Sequence, residues 1–347
     1  MKISVVIPAY NAAATIEATL DSVLRQTVQP DEILVLDDGS TDETSSVLHA
    51  YKQRITVLRQ ENRGVASALN ALCGQAQGDL VAILGSDDIW HAGYLEMQSR
   101  LFGSYPTASA LFTGHVDFYG EDNYEWVGDP LEPAADVELI TSVTFLKRYN
   151  EAPGPFSNMS HCCVPGRVLR MLGGEPFKLR MAEDLYFFNR LFLFAAGPVV
   201  YISTPLVAYR IREGSLSSNR LVLNEAEVRV FELLDKDFCS NSGVAFRRVF
   251  REGFAIKRRQ YAKVLLGAGE ASKARRQLWC SLRDSRQPAS FAKSMALLLI
   301  AALPRSLQPS WPPIYRNFRG PAGTGKPDVP MPDKGVLKCS SKQIRIM

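Results

Sequence analysis

The chain has 347 residues, 46% hydrophobic and 22% charged, the balance of a soluble globular protein with one large domain or a domain plus a sizeable appendage. Its net charge of +4 hides an uneven distribution: residues 247–286 hold 12 Lys or Arg against 3 Asp or Glu, leaving −5 for the remainder. The start, Met1 to Pro8, is too short and strand-like for a signal peptide, no Cys-x-x-Cys pair exists, and no apolar run approaches the ~20 residues needed to span a bilayer.

In chain order, Ile3 to Ile7 reads as a strand closed by Pro8, and Asn11 can cap a helix whose apolar face is Ile16, Leu20, Val23 and Leu24. Ile33 to Leu36 is a second strand, ending on Asp37-Asp38-Gly39-Ser40-Thr41-Asp42. Thr44 to Tyr51 reads as a helix, Ile55 to Leu58 as a third strand, Val65 to Gln77 as a helix stopped by Gly78, and Leu80 to Leu84 as a fourth strand. The fourth strand runs into Gly85-Ser86-Asp87-Asp88. A buried strand does not end on two carboxylates for packing reasons, so this pair is expected to face a cation, water or a polar ligand. The βαβαβαβ order predicts a mostly parallel sheet covered by helices, with ligands beyond the carboxyl ends of the strands. Both acidic clusters fall at that edge.

Further on, Leu111 to Phe118 is expected as a strand, followed by an Asp/Glu/Gly-rich loop, and Phe145 to Tyr149 as a short helix. Pro153-Gly154-Pro155 marks a turn, and Val168 to Leu172 a helix ended by Gly173-Gly174. Glu183-Asp184 opens a helix with the stripe Leu185, Phe188, Leu191 and Phe192, and Val199 to Ile202 and Leu206 to Arg210 read as closing strands. Leu221 to Leu282 is helical and increasingly basic, and residues 308–347 are Pro-, Gly- and Lys-rich and expected to be disordered.

Two patterns are set aside. His161 beside Cys162 and Cys163 lacks ligand spacing for a metal, and the six cysteines read as reduced thiols. Residues 320–327 nearly fit a phosphate-binding loop but lack its final Ser or Thr and the strand before it.

Ser4 to Asn11, Asp37 to Asp42, Asn62-Arg63-Gly64, Ser86-Asp87-Asp88 and Glu183-Asp184 occur in that order, followed by the segment Tyr209 to Ser217. Over residues 3–215 this series resembles the family 2 glycosyltransferases. The resemblance implies the GT-A fold, a Rossmann-like α/β architecture, and an inverting enzyme that uses a nucleoside diphosphate sugar, UDP-linked by expectation. By that resemblance Pro8, Ala9 and Tyr10 line the base pocket, and Asp37 and Asp38 hold base or ribose. Arg63 meets phosphate or base edges, Ser86 belongs to the nucleotide-sugar pocket, and Asp87 lies at the ribose or in the metal's outer shell. Asp88 binds a divalent Mn2+ or Mg2+ ion, Asp184 is the general base and Glu183 supports it or binds the acceptor.

Two departures stand out: Gly85 replaces a further Asp common in the family, and Arg212 stands near where a His is common. Arg212 is open to a diphosphate contact or a structural ion pair. The expected organisation is a catalytic domain over residues 1–215, a helical extension over 216–307 and a tail over 308–347. The acceptor is expected to be a glycan or a lipid-linked molecule. The basic segment beside the apolar run Met295 to Leu303 points to an anionic membrane surface rather than nucleic acid. Location is expected in the cytoplasm, peripheral at the inner face of the membrane. The rival readings are a nucleotidyltransferase, against which the loop Pro8 to Ala13 lacks glycines and basic residues, and a non-catalytic nucleotide-sugar-binding protein.

Overall fold

A computed structural model describes residues 1–120, 124–126, 136–152, 154–156, 158–212, 219–237 and 243–309. Strands β1 (Ile3–Ala9), β2 (Glu32–Asp37), β3 (Thr56–Arg59) and β4 (Leu80–Ile83) alternate with helices α1 (Ile16–Leu24), α2 (Thr44–Ala50) and α3 (Val65–Gln75). They pair in parallel in the spatial order β3-β2-β1-β4. Successive residues alternate between faces, as a strand with a two-residue repeat requires. Val6, Leu34, Leu36, Val81 and Ile83 enter one core, and Val5, Ile7, Ile33, Val35 and Ala82 enter the other.

The rest of the sheet is mixed. After β5 (Ile89–Trp90), α4 (Tyr94–Ser104), β6 (Ala110–Tyr119), β7 (Val137–Ile140) and α5 (Ser142–Glu151), a strand that the sequence pattern did not reveal, β8 (Cys162–Pro165), inserts antiparallel between β4 and β6. Its adjacent cysteines are fully buried core residues, and burial pushes both thiols up. After α6 (Gly166–Leu172) and α7 (Glu183–Phe194), the two expected closing strands form one strand, β9 (Val199–Ile211). It runs parallel to β6, with register shifts on either side of Gly114. A Cβ at Gly114 would lie 2.2 Å from the Ser203 carbonyl oxygen, so the missing side chain lets the irregular stretch of β9 close on β6.

Four helices follow: α8 (Arg220–Asp237), α9 (Val244–Gly267), α10 (Ala271–Asp284) and α11 (Pro288–Ala302). They pack back onto the sheet domain, because Phe231, Phe250 and Phe254 join the same core as Tyr149, Phe188 and Phe192. Much of the basic segment is consumed inside this layer. Lys257 Nζ pairs with Glu227 at 2.6 Å, Arg258 and Arg251 both pair with Asp284, and Arg259 donates to the hydroxyls of Ser290 and Ser294. The expected boundary near residue 215, the segment 310–347 and the loop-like sequence at 320–327 lie outside the described residues.

Candidate functional site

The parallel strands bring Ala9, Asp37 and the turn after Ile83 to one sheet edge. There the two acidic clusters are mostly turned into the protein. Asp37 is buried. Its Oδ1 accepts from the Ser40 amide at 2.8 Å and its Oδ2 from Ser45 Oγ at 2.5 Å. Burial pulls its pKa up, but these bonds and the Arg59 guanidinium hold it below the usual carboxylate value. Asp38 accepts from Gln60 Nε2 and from the amides of Arg63 and Gly64 at 2.6, 2.9 and 2.8 Å. It therefore clamps the loop that carries Arg63. Asn11, in a left-handed conformation at φ 47, accepts from the Thr41 amide at 2.8 Å. The Ala12 amide donates to Thr44 Oγ1, and the Ala13 amide to Asp42. The Asp-Gly-Ser-Thr-Asp turn thus fixes the loop after β1, leaving Tyr10 46% exposed and Arg63 exposed at the rim, with Pro8 half-buried and Ala9 buried beneath.

At the second cluster the two carboxylates diverge. Asp88 is buried: Oδ2 accepts from Ser160 Oγ at 2.5 Å and Asn158 Nδ2 at 3.1 Å, and Oδ1 from the Arg210 amide at 3.0 Å. Burial and the neighbouring Asp87 raise its pKa, and these three donors oppose the rise. Asp87 is half-buried, and its Oδ2 lies 3.2 Å from Arg212 Nη2. Ser86 holds the loop by accepting from Thr15 Oγ1 through its carbonyl.

The divalent cation implied by the fold can be held by one or two carboxylates together with substrate phosphates. Asp88, the expected ligand, has its oxygens occupied by protein donors and is only 1% exposed. Gly85 offers no donor, and a Cβ there would press on Asp88 Oδ2, Asp87 Oδ1 and Ser160 Oγ at 3.1, 3.2 and 3.3 Å. The carboxylate left, Asp87, already carries a guanidinium. Among the described residues no group of three or more His, Cys, Asp or Glu could hold a metal. The residues present fit a guanidinium on Asp87, not a metal ion on Asp88.

Glu183 and Asp184 begin α7 after Ala182, which is left-handed at φ 60, as is Leu179 at φ 73. Asn11, Leu179 and Ala182 are the non-glycine residues with positive φ among those described, and each flanks a motif of the site. Such strain persists where surrounding structure enforces it. Tyr149 Oη donates to Asp184 Oδ2 at 3.1 Å, and the Leu185 amide to Oδ1 at 2.7 Å. Burial raises the pKa of both carboxyls: Asp184 adds to the rise at Glu183, while the Leu185 and Tyr149 hydrogen bonds oppose it at Asp184. Glu227 and Lys257, from α8 and α9, also act on Asp184, so the C-terminal helices form a wall of this half of the site.

One packing contact and one electrostatic link join the halves. The Arg180 side chain packs where a Cβ of Gly64 would stand, bringing the segment before α7 against the Arg63 loop. Tyr209 of β9 has its phenol pushed up to about 12 by burial and by the charges of Asp88, Asp87, Asp117 and Asp184. One ring therefore lies within electrostatic reach of both acidic pairs. Sequence reasoning missed Tyr149, Asn158 and Ser160. Their partners lie 35 to 72 residues away, and a lone Ser or Asn carries no spacing signal.

The family model described as Glycosyl transferase family 2 matches residues 4–171. A Bacillus subtilis glycosyltransferase named for teichuronic acid biosynthesis, TuaG, is 41% identical over 226 residues, 63% of this chain and 82% of TuaG. The chain belongs to glycosyl transferase family 2. An Escherichia coli relative, UDP-Glc:alpha-D-GlcNAc-diphosphoundecaprenol beta-1,3-glucosyltransferase WfgD, is 46% identical over 130 residues, 37% of this chain and 47% of WfgD. Streptococcus pneumoniae GlyA is 27% identical over 234 residues, 62% of this chain and 31% of GlyA. The chain thus spans less than half the length of these last two relatives. Among solved structures, S. aureus TarS 1-349 in complex with UDP-GlcNAc superposes with a TM-score of 0.60 at 19% identity, covering 87% of this chain and 90% of that one. A Pyrobaculum calidifontis mannosyltransferase in complex with GDP-Man and Mn2+ gives 0.54 at 20% identity, covering 86% and 80%. These likenesses establish the GT-A fold, a mostly parallel sheet flanked by helices, expected from the motif order.

Proposed function

We propose that this family 2 member transfers a sugar from a nucleoside diphosphate sugar to a hydroxyl of a glycan or lipid-linked acceptor, inverting the anomeric configuration. The observation that carries the proposal is that Asp87 and Asp88 of one pair and Asp184 of the other all act on the charge of the same largely buried Tyr209 phenol. It supports a donor diphosphate and an acceptor hydroxyl side by side. In this reading Tyr10 packs on the base over Pro8 and Ala9, and Arg63 reaches the nucleotide from the loop that Asp38 holds. Asp37 and Ser86 shape the pocket floor, and Asp87 with Arg212 faces the diphosphate. The acceptor oxygen attacks C1 and its proton passes to Asp184. The bond from C1 to the diphosphate breaks, with its electron pair leaving on the β-phosphate oxygen. Tyr149 orients Asp184, and Glu183 binds the acceptor. A UDP-linked donor is favoured by the UDP-Glc in the name of WfgD and the UDP-GlcNAc bound to TarS, and a lipid diphosphate acceptor by the acceptor named for WfgD. A screen of nucleotide-sugar donors, read as nucleoside diphosphate release, tests the reading. Release that Asp184→Asn abolishes supports it. Nucleotide-sugar binding without turnover favours a binding protein, and turnover of nucleoside triphosphates favours a nucleotidyltransferase.

We also propose that α11 seats the enzyme on an anionic membrane surface, which would bring a lipid-linked acceptor to the site. The outer side of α11 is apolar, with Phe291, Leu299 and Leu303 exposed, and Lys293 is its one charged residue. On α10, Trp279 is 59% exposed among the exposed Arg275, Arg276 and Arg283. Asp284 is the sole acidic residue from 271 to 309, and it is buried against Arg258. An apolar stripe rimmed by basic residues matches the headgroup boundary of an anionic leaflet. Among the described residues no helix is long and apolar enough to cross a membrane. Sedimentation with phosphatidylglycerol vesicles but not phosphatidylcholine vesicles, lost in Leu299→Asp, is the expected result. Self-association through α11 with no vesicle binding would overturn it.

A further inference from the structure

We infer that Arg212 supplies the positive charge at the donor diphosphate, so that transfer by this chain is independent of a divalent cation. This rests on the nucleotide-sugar reading above and adds to it the identity of the cationic group. In the Mn2+-containing structure of the same fold a metal ion accompanies the nucleotide sugar. Here the place beside Asp87, the outward carboxylate of the pair, belongs to a side chain. Arg212 Nη2 lies 3.2 Å from Asp87 Oδ2, and the arginine remains 47% exposed, which leaves guanidinium donors free for an incoming oxyanion.

The surroundings hold this guanidinium in place. Arg210, two residues earlier, is buried and ties the end of β9 to the acidic turn. Its amide donates to Asp88 Oδ1, its Nε to the Asp87 carbonyl at 2.9 Å, and its Nη1 to the Gly120 carbonyl at 2.6 Å. Its guanidinium lies over the Phe118 ring, 4.4 Å from the centroid. Arg212 is therefore delivered to Asp87 by a segment anchored on the Asp87 carbonyl and the Asp88 carboxylate. A preorganised cation beside a leaving diphosphate stabilises the charge that develops there without reorganisation during reaction. Guanidinium is permanently charged and matches two phosphate oxygens at once.

The same geometry disfavours a dication. Asp88 has its oxygens satisfied inside the protein, and Gly85 contributes nothing. A metal ion on Asp87 would stand against the guanidinium, and like charges at such separations repel. With Gly85 lacking a side chain and Asp88 turned inward, Asp87 is the carboxylate of this turn left to a cation, and Arg212 supplies beside it the charge a cation would have brought.

The test uses the full-length chain, UDP-Glc and UDP-GlcNAc as donors, and UDP release with either excess EDTA or added Mn2+. UDP affinity is measured by calorimetry in EDTA. Turnover in EDTA within about twofold of that in Mn2+, a loss of roughly 10²-fold in Arg212→Ala and partial recovery in Arg212→Lys support the inference. Turnover that EDTA abolishes and Mn2+ restores, or an Arg212→Ala enzyme as active as wild type, overturns the inference and leaves the transferase reading standing. Neither UDP binding nor turnover in either condition overturns both.

Discussion

Ser160 Oγ lies 2.5 Å from Asp88 Oδ2 and 2.9 Å from the amide nitrogen of Gly85, so one hydroxyl bridges the start and the end of the acidic turn. The Trp90 indole in turn donates to the Ser160 carbonyl at 2.9 Å. Ser160→Ala strips a donor from a buried carboxylate. Unfolding in urea should show a loss of about 1–3 kcal/mol at neutral pH. The deficit should shrink in acid, where a protonated Asp88 no longer needs that donor.

Tyr149→Phe moves the pH profile. Its hydroxyl opposes the burial that raises the Asp184 pKa, so removing it lets that pKa climb further. A general base works only when deprotonated. The acidic limb of kcat/KM should therefore shift to higher pH, with the plateau reached later. An unchanged limb would show that Asp184 is not the titrating base.

Glu183→Gln should stabilise the protein in a defined window. The folded-state pKa of Glu183 is raised to about 8 by burial and Asp184, whereas the unfolded chain releases this proton near about 4.3. The favourable contribution is complete below the unfolded value and is lost as pH rises through the folded value. Thermal unfolding at pH 8.5 should place Glu183→Gln above wild type, and below about pH 4 the two should coincide.

Gly39→Ala should destabilise and loosen the nucleotide rim together. Gly39 has φ 75, and a Cβ would lie 2.8 Å from the Asn62 amide nitrogen, which is backbone. Strain of this kind costs roughly 1–3 kcal/mol. The displaced Asn62 segment carries Arg63, so UDP affinity should fall along with the melting temperature. A variant with wild-type affinity would separate the turn from the pocket.

The motifs were legible because each is local. The strand that ends on Asp37-Asp38, the strand that ends before Asp87-Asp88 and the helix opened by Glu183-Asp184 were read in place, and the order of strands and helices set both acidic turns on one edge. What could not be read was the direction in which adjacent carboxylates point. Asp87 and Asp88 are equivalent in sequence, yet Asp88 turns inward because Ser160, Asn158 and the Arg210 amide converge on it from 70 to 122 residues away. The buried Cys162-Cys163 pair was similarly opaque, since only the antiparallel insertion of β8 explains it.

The sequence by itself determined the family motifs, the parallel half of the sheet and the concentration of carboxylates at its edge, all of which follow from alternation and spacing along short stretches. The tertiary structure alone decided which carboxylate stays partly exposed, that Arg212 stands on it, and that Glu227 and Lys257 of the C-terminal helices act on the charge of Asp184. Those outcomes depend on hydrogen bonds and charges between residues far apart in the chain, and the donors that converge on a buried carboxylate fix its direction more strongly than its neighbours in sequence can.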